Sequence, residues 1–309
     1  MVGGICGWNA GIVEGCRNRG AILSYLSEKD YYHGGICGYN GVTIRNCINE
    51  STAYGRGSAA EIGGIAGRNE GGIHTSTNYA NMECTYSGSA YNTSIGGIAA
   101  ALASDDALIN NCVNYGQITG YKYPGGIAGY NGGGDSGYGT ISNSTNNGKV
   151  IGNGKQGGGI TGINYCGDVI SCVNKGQITE AMYAGGIVGY GDGSTAKIGK
   201  IDLCTNEGSV LASSAGGGIC GYNRNYSRIT NSSNSGSIES MGDYAGGVCG
   251  YNETNGIVYN CTNTGSVKSN KYTGDIIGND ASATAPKATS SAASSLAMTS
   301  LKYLLEDLR

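Results

Sequence analysis

One stretch, Gly246 to Gly265 (GGVCGYNETNGIVYNCTNTG), is copied along most of the chain, and that repetition limits the folds open to it. The Gly-Gly-aliphatic core returns with its aliphatic residue at Ile5, Ile36, Ile65, Ile98, Ile127, Ile160, Ile187, Ile219 and Val248, and a worn tenth copy carries Ile276. Successive copies lie 27 to 33 residues apart, the range of a solenoid coil or a small supersecondary unit. Nine coils and a fragment therefore account for residues 1 to about 280.

Each coil aligns as GGIxGYN, a variable link, an aliphatic residue, then CxNxG and a second aliphatic. The residue after the first aliphatic is again small or apolar, as in Cys37, Ala66, Ala128, Val188 and Cys249. Two adjacent apolar positions cannot both point inward on a regular strand. Either the chain turns a corner there or something covers the outer face. Next comes an aromatic column at Trp8, Tyr39, Tyr130, Tyr190, Tyr222 and Tyr251, with Arg68 in one coil. Such a stripe is read first as packing between coils and second as a platform for ring stacking, which makes Tyr39, Tyr130, Tyr190, Tyr222 and Tyr251 the candidate binding stripe. A second tyrosine column, Tyr32, Tyr123, Tyr183, Tyr244 and Tyr272, stands just ahead of the glycine pair.

The most regular column is Asn18, Asn49, Asn78, Asn114, Asn146, Asn174, Asn206, Asn234 and Asn263. Stacked in register, each amide donates to the next and the turn backbone supplies the remaining partners, which predicts a structural asparagine ladder. Gly follows two residues later in most coils, at Gly116, Gly148 and Gly176 for example, where a turn with positive φ is expected. The second aliphatic column then resumes at Ile22, Ile118, Val150, Ile178, Val210, Ile238 and Val267. Helices do not suit this pattern, because glycine and β-branched residues are costly in them and no coil holds an i, i+3, i+4, i+7 apolar face. The expected fold is all-β: a single-stranded parallel β-helix, or β-solenoid, with roughly three strands per coil and a rise of about 4.8 Å per coil.

Charge and composition narrow the function classes. A net charge of −3 with no Lys/Arg run leaves nothing to neutralise phosphates or to sit on an anionic membrane, so nucleic acid is not an expected partner. No apolar run approaches the 18 or so residues that span a bilayer. The start, MVGGICGWN, falls directly into a repeat without a signal-peptide pattern, and the chain reads as a piece of a longer protein. Past the repeats, residues 281–295 read as an Ala/Ser/Thr linker and 296–309 as an amphipathic helix, with Leu301, Leu304, Leu305 and Leu308 on one face. That helix caps the open coil or begins another domain.

Twelve cysteines raise the question of disulfides. Six of them (Cys16, Cys47, Cys112, Cys172, Cys204 and Cys261) share a column with Ser76, Ser144 and Ser232, and four more share the small column with Ala, Thr, Val and Ile. A position that takes Cys, Ser or Ala in turn asks for a small buried side chain. Two histidines, His33 and His74, and the absence of CxxC, HExxH or an EF-hand loop give no metal site, and no cofactor motif stands out. Asp105, Asp106, Asp135 and Asp192 read as turn residues. A polysaccharide-cleaving β-helix would need carboxylates on neighbouring coils of one face. Here the acids are scattered over different offsets, so no catalytic residue is assigned.

The segments GGICGYN (34–40) with TIRNC (43–47), GGIVGY (185–190) with IDLC (201–204), and GGVCGYN (246–252) with IVYNC (257–261) resemble the GLUG-type glycine-rich repeats of large bacterial surface proteins. Those include adhesin-like proteins and non-catalytic regions of some immunoglobulin A-cleaving metallopeptidases. The resemblance implies an extracellular module at a bacterial cell surface with a structural or adhesive role and no enzymatic activity, whose partner is a host or cell-wall glycan or protein. The alternative is a carbohydrate-active or carbohydrate-binding β-helix, with its site in the loops at Asn131 to Thr140 and Gly191 to Lys200.

Overall fold

The computed structural model describes residues 1–24, 31–51, 53–55, 60–84, 93–132 and 137–281. The linker and helix expected beyond residue 281 lie outside them. Among the described residues the chain is all β, and every strand pairing is parallel to the neighbouring coil. Coil two shows the pattern: strand Cys37–Asn40, then Thr43–Arg45, then Ile48–Asn49, then Ala53–Gly55, and Ala60–Gly63 leading into the next glycine pair. Equivalent strands stack into a ten-stranded sheet 1 on the Cys37–Asn40 positions and nine-stranded sheets 2 and 3 on the next two. The last two strands of each coil build sheet 4, where they fuse into eight-residue strands at Ile178–Gly185 and Val210–Gly217.

Coils are thus divided more finely than into three strands, because glycine and asparagine corners interrupt the chain every few residues. The doubly apolar position is one of those corners. In coil two the N–H groups of both Ile36 and Cys37 donate to the single carbonyl of Ile65, at 3.0 and 2.9 Å, and the same forked pair recurs coil after coil. Both side chains are fully buried because the backbone bends between them.

Two separate apolar cores run along the rod. The larger is enclosed by sheets 1 to 3 and holds the Ile36 column, the Ile44 column and most of the cysteines. The smaller lies under sheet 4 and holds Met82, Ile118, Val150, Ile178, Val210 and Ile238 with Ile62, Ile95, Ala184 and Ala245. β-branched residues suit both, since each coil repeats the same pleated, half-enclosed surface.

The asparagine ladder stands where the ends of the larger lobe meet. Asn146 is fully buried and fully bonded: its amide donates to Asn174 Oδ1 at 2.9 Å and to the Gly148 carbonyl at 2.8 Å. Its Oδ1 accepts from Asn114 at 2.8 Å and from the Gly148 N–H at 3.2 Å. The opposing wall is the second glycine of the same coil's pair. A Cβ on Gly126 would sit 2.3 Å from Asn146 Cγ and 2.1 Å from the Gly159 carbonyl oxygen. The corresponding clash recurs from Gly4 with Asn18 to Gly247 with Asn263, so the GG and CxNxG halves of the motif are two sides of one contact.

The glycine after the ladder differs from the sequence expectation. Gly116, Gly148 and Gly176 do not have positive φ. Glycine is needed there because a Cβ on Gly148 would lie 2.0 Å from the Gly116 carbonyl oxygen of the neighbouring coil. The left-handed corner is instead the residue just before the cysteine column: Gly15, Asn46, Thr75, Asn111, Asn143, Ser171, Leu203, Asn231 and Asn260 have φ of 47° to 64°. Asparagine tolerates that region better than other residues carrying a Cβ.

Cysteine and serine interchange at the next position because they do the same thing there. Cys47, Cys172, Cys204 and Cys261 each donate a thiol to the carbonyl two residues earlier, at 3.3 to 3.4 Å. Ser76, Ser144 and Ser232 do so with a hydroxyl, at 2.8 to 2.9 Å. None of the twelve cysteines is disulfide-bonded in this structure.

Candidate functional site

The candidate stripe Tyr39, Tyr130, Tyr190, Tyr222 and Tyr251 occupies one register line of sheet 1, but not continuously. Arg68, Ala101 and Ile163 fall on the same line and divide it. Tyr39 sits edge-on to Trp8, with ring centres 6.0 Å apart, and its hydroxyl donates to the Glu70 carboxylate. The Tyr130 ring tilts against that of Tyr123, with centres 6.0 Å apart. Tyr190, Tyr222 and Tyr251 form a true stack, with centres 5.2 and 5.0 Å apart and planes within 12°.

That stack is closed on its faces. Tyr183 approaches Tyr222 to 4.8 Å and Tyr244 approaches Tyr251 to 4.9 Å, so the second tyrosine column interleaves with the first across the glycine corner. The Arg224 guanidinium lies 5.2 Å from the Tyr190 ring centre while bonding Asp192 at 2.9 and 3.1 Å. The Tyr222 hydroxyl donates to Glu253 at 2.8 Å. Burial pushes the phenols of Tyr39 and Tyr130 up to about 12, with the Glu70 carboxylate adding to the effect at Tyr39, and it also raises Tyr190 and Tyr222. The faces of Tyr190, Tyr222 and Tyr251 are thus occupied largely by one another and by the second tyrosine column.

The ladder residues Asn18, Asn49, Asn78, Asn114, Asn146, Asn174, Asn206, Asn234 and Asn263 form an unbroken donor chain, each amide bonded to the next at 2.7 to 3.3 Å. A second, interrupted ladder was not recognised from sequence. It runs through Asn9, Asn40 and Asn69, breaks at Leu102, resumes at Asn131 and Asn164, breaks at Gly191, and ends with Asn223, Asn252 and Asp280. The signal was the Asn after the aromatic in most coils. Asn131 Oδ1 and Asn223 Oδ1, the first acceptors after each break, are buried without a hydrogen-bond partner.

In the loops at 131–140 and 191–200, Asp135 lies outside the described residues. Asp192 is buried and held by Arg224 and by Asn225 at 3.1 Å. Lys197 of the second loop lies 5.8 Å from the Tyr138 ring centre of the first, and Asp105 accepts from the Tyr138 N–H at 2.9 Å. His33 is buried and His74 lies on sheet 2. No group of three or more His, Cys, Asp or Glu side chains is placed to share a metal ion among the described residues.

More exposed rings stand just past the sheet 3 strands instead. Tyr79 and Tyr115, each directly after a ladder asparagine, are 53% and 50% exposed and stack in parallel at 5.0 Å and 4°. Beyond Tyr115 a shallow depression continues along the rod over Val113, Thr145 and Val173, edged by Asn147 and by the Lys175–Glu207 pair at 3.7 Å. The adjacent "NY" steps at 78–79 and 114–115 were the sequence signal for it.

The model of one family, the GLUG motif, matches residues 120–151, 212–239 and 242–268. Each match spans one turn of the solenoid, from sheet 4 through the glycine corner and the ladder asparagine to sheet 4 again. No curated protein and no solved structure matches the chain.

Proposed function

We propose that this chain, a β-solenoid carrying GLUG motifs, is a non-enzymatic structural and adhesive repeat module of a bacterial cell-surface protein, working outside the cell. The observation that supports this reading is the use of every motif residue for stacking: the ladder amides bond one another, the glycines admit close backbone approach and the tyrosine stack closes on itself. Such a rod holds whatever it carries at a fixed distance and tolerates variation in its loops. Purified protein should leave a panel of polysaccharides intact; reproducible turnover that disappears in Asp192→Asn would replace this reading with a carbohydrate-active one.

A second reading, recognition of an extended glycan, draws on the sheet 3 depression. Exposed tyrosine faces, a side-chain amide and a loosely paired Lys and Glu suit a neutral polyhydroxylated chain lying along the rod. The sheet 3 strands under the depression are each paired on both sides, so it offers no free strand edge for a peptide. On a glycan array, Tyr115→Ala should abolish binding while Tyr251→Ala keeps it. Equal loss in both variants would remove the depression as the site.

A further inference from the structure

We propose that Cys6 and Cys37 form a reversible cross-linking site, closed by a low-molecular-weight disulfide oxidant, that staples the first coil to the second. The two residues are directly opposite in parallel register, and their sulfurs are 2.8 Å apart. Registered neighbours on adjacent parallel strands stand about 4.8 Å apart, inside the Cα separation that a disulfide spans.

Other cysteines on adjacent coils share the proximity but not the orientation. Cys220 and Cys249 are also in register, yet their thiols turn away to the carbonyls of Tyr222 at 3.1 Å and Tyr251 at 3.3 Å. Cys16 and Cys47 point at the carbonyls of Glu14 and Arg45, and Cys172 and Cys204 at those of Ile170 and Asp202. The Cys6 and Cys37 thiols instead meet each other directly at 2.8 Å, whereas in the Cys16–Cys47 and Cys172–Cys204 pairs, whose side chains also interact, each thiol is directed to a backbone carbonyl.

Access differs between the two partners in a way that orders the chemistry. Cys6 is half-buried, whereas Cys37 is fully buried and its thiol is pushed far up by that burial. The Cys6 thiolate attacks one sulfur of the small disulfide, forming a mixed disulfide and releasing one thiolate. Cys37 then attacks the Cys6 sulfur, expels the second thiolate and completes the Cys6–Cys37 bond. The two protein protons leave with the two small thiols, so one oxidant molecule is reduced for each cross-link.

A Cys6–Cys37 bond ties strand Cys6–Asn9 covalently to strand Cys37–Asn40. The column at Cys37 also contains Ala66, Ala99 and Ala128, so alanine is accommodated there.

The test is to incubate reduced protein with oxidised glutathione and map disulfides by mass spectrometry. Two of the twelve thiols should be lost, the intact mass should fall by two hydrogens, and a peptide joining Cys6 to Cys37 should appear. Cys37→Ala should instead accumulate one glutathione adduct at Cys6, and Cys6→Ala should keep its remaining thiols. Oxidation of the parent should slow backbone exchange in residues 6–14. Twelve alkylatable thiols after oxidation, or a mapped bond between any other pair, would overturn the proposal.

Discussion

Replacing Asn146 with alanine removes a rung from the middle of the ladder. The side chain is fully buried, and its four hydrogen bonds run to Asn114, Asn174 and both polar backbone groups of Gly148. Alanine leaves one Asn114 N–H and the Gly148 N–H without an acceptor and the Gly148 carbonyl without its donor, and reduces Asn174 Oδ1 to the Gly176 N–H, in a place water does not reach. At about 1 kcal/mol per neutral hydrogen bond, and more for each stranded buried group, the loss comes to about 3–5 kcal/mol. That is a large share of the ~5–15 kcal/mol that typically holds a domain together. Urea unfolding followed by circular dichroism gives the total, and native-state hydrogen exchange shows whether the loss is centred on the coils containing Asn114 and Asn174. Asn153→Ala, at an exposed position, is the control and should stay within about 0.5 kcal/mol of the parent. If the two variants are equally stable, the ladder is not a stabilising element and the reasoning fails.

Three further outcomes follow from the same geometry. Gly126→Ala should cost about 3 kcal/mol or more by driving a methyl into Asn146 and the Gly159 carbonyl, whereas Gly11→Ala, with nothing within 4 Å, should be neutral in the same urea titration. Gly191→Asn should raise the melting temperature, because its amide would bridge Asn164 and the unpartnered Asn223 Oδ1 once the Ser227 hydroxyl rotates aside; a lower melting temperature would show that the gap cannot take the side chain. Burial pushes His33 from 6.5 down to about 4, so between those values the unfolded chain binds a proton that the folded chain refuses. Stability should therefore be complete above about pH 6.5, fall by up to ~3 kcal/mol on acidification and level off below about pH 4, and His33→Ile, matching Ile62 in the next coil, should flatten that part of the urea-midpoint profile.

Much of this architecture was legible because stacking copies one local solution nine times. The Asn49 to Asn263 column could be read directly, since only a residue that donates and accepts at one fixed offset satisfies its copies above and below. The glycines were legible as a pattern but not as a cause. Sequence alone cannot distinguish a residue that needs positive φ from one that faces a carbonyl of the next coil, and Gly148 turned out to be the latter. The corner at Ile36 and Cys37 was foreseen as one of two alternatives, and the forked hydrogen bond to Ile65 decides between them.

The candidate site was less legible, because periodicity says which residues align without saying which faces remain open. Tyr190, Tyr222 and Tyr251 are conspicuous in sequence and are consumed by packing. Tyr79 and Tyr115 interrupt a column of otherwise unrelated residues and keep exposed surface. Long-range pairing hid the second ladder too. Asn69 and Asn131 belong to one line only when Leu102 is seen to stand between them.

The central claim is that the motif's polar residues are spent on holding one coil to the next. Exchange rates of the asparagine side-chain amides, measured by NMR on labelled protein, test it most directly. The amides of Asn49, Asn78, Asn114, Asn146, Asn174 and Asn206 should exchange slowly, with couplings across the hydrogen bonds joining successive rungs, while exposed Asn153 exchanges at the solvent rate. Ladder amides exchanging as fast as that of Asn153 would contradict it.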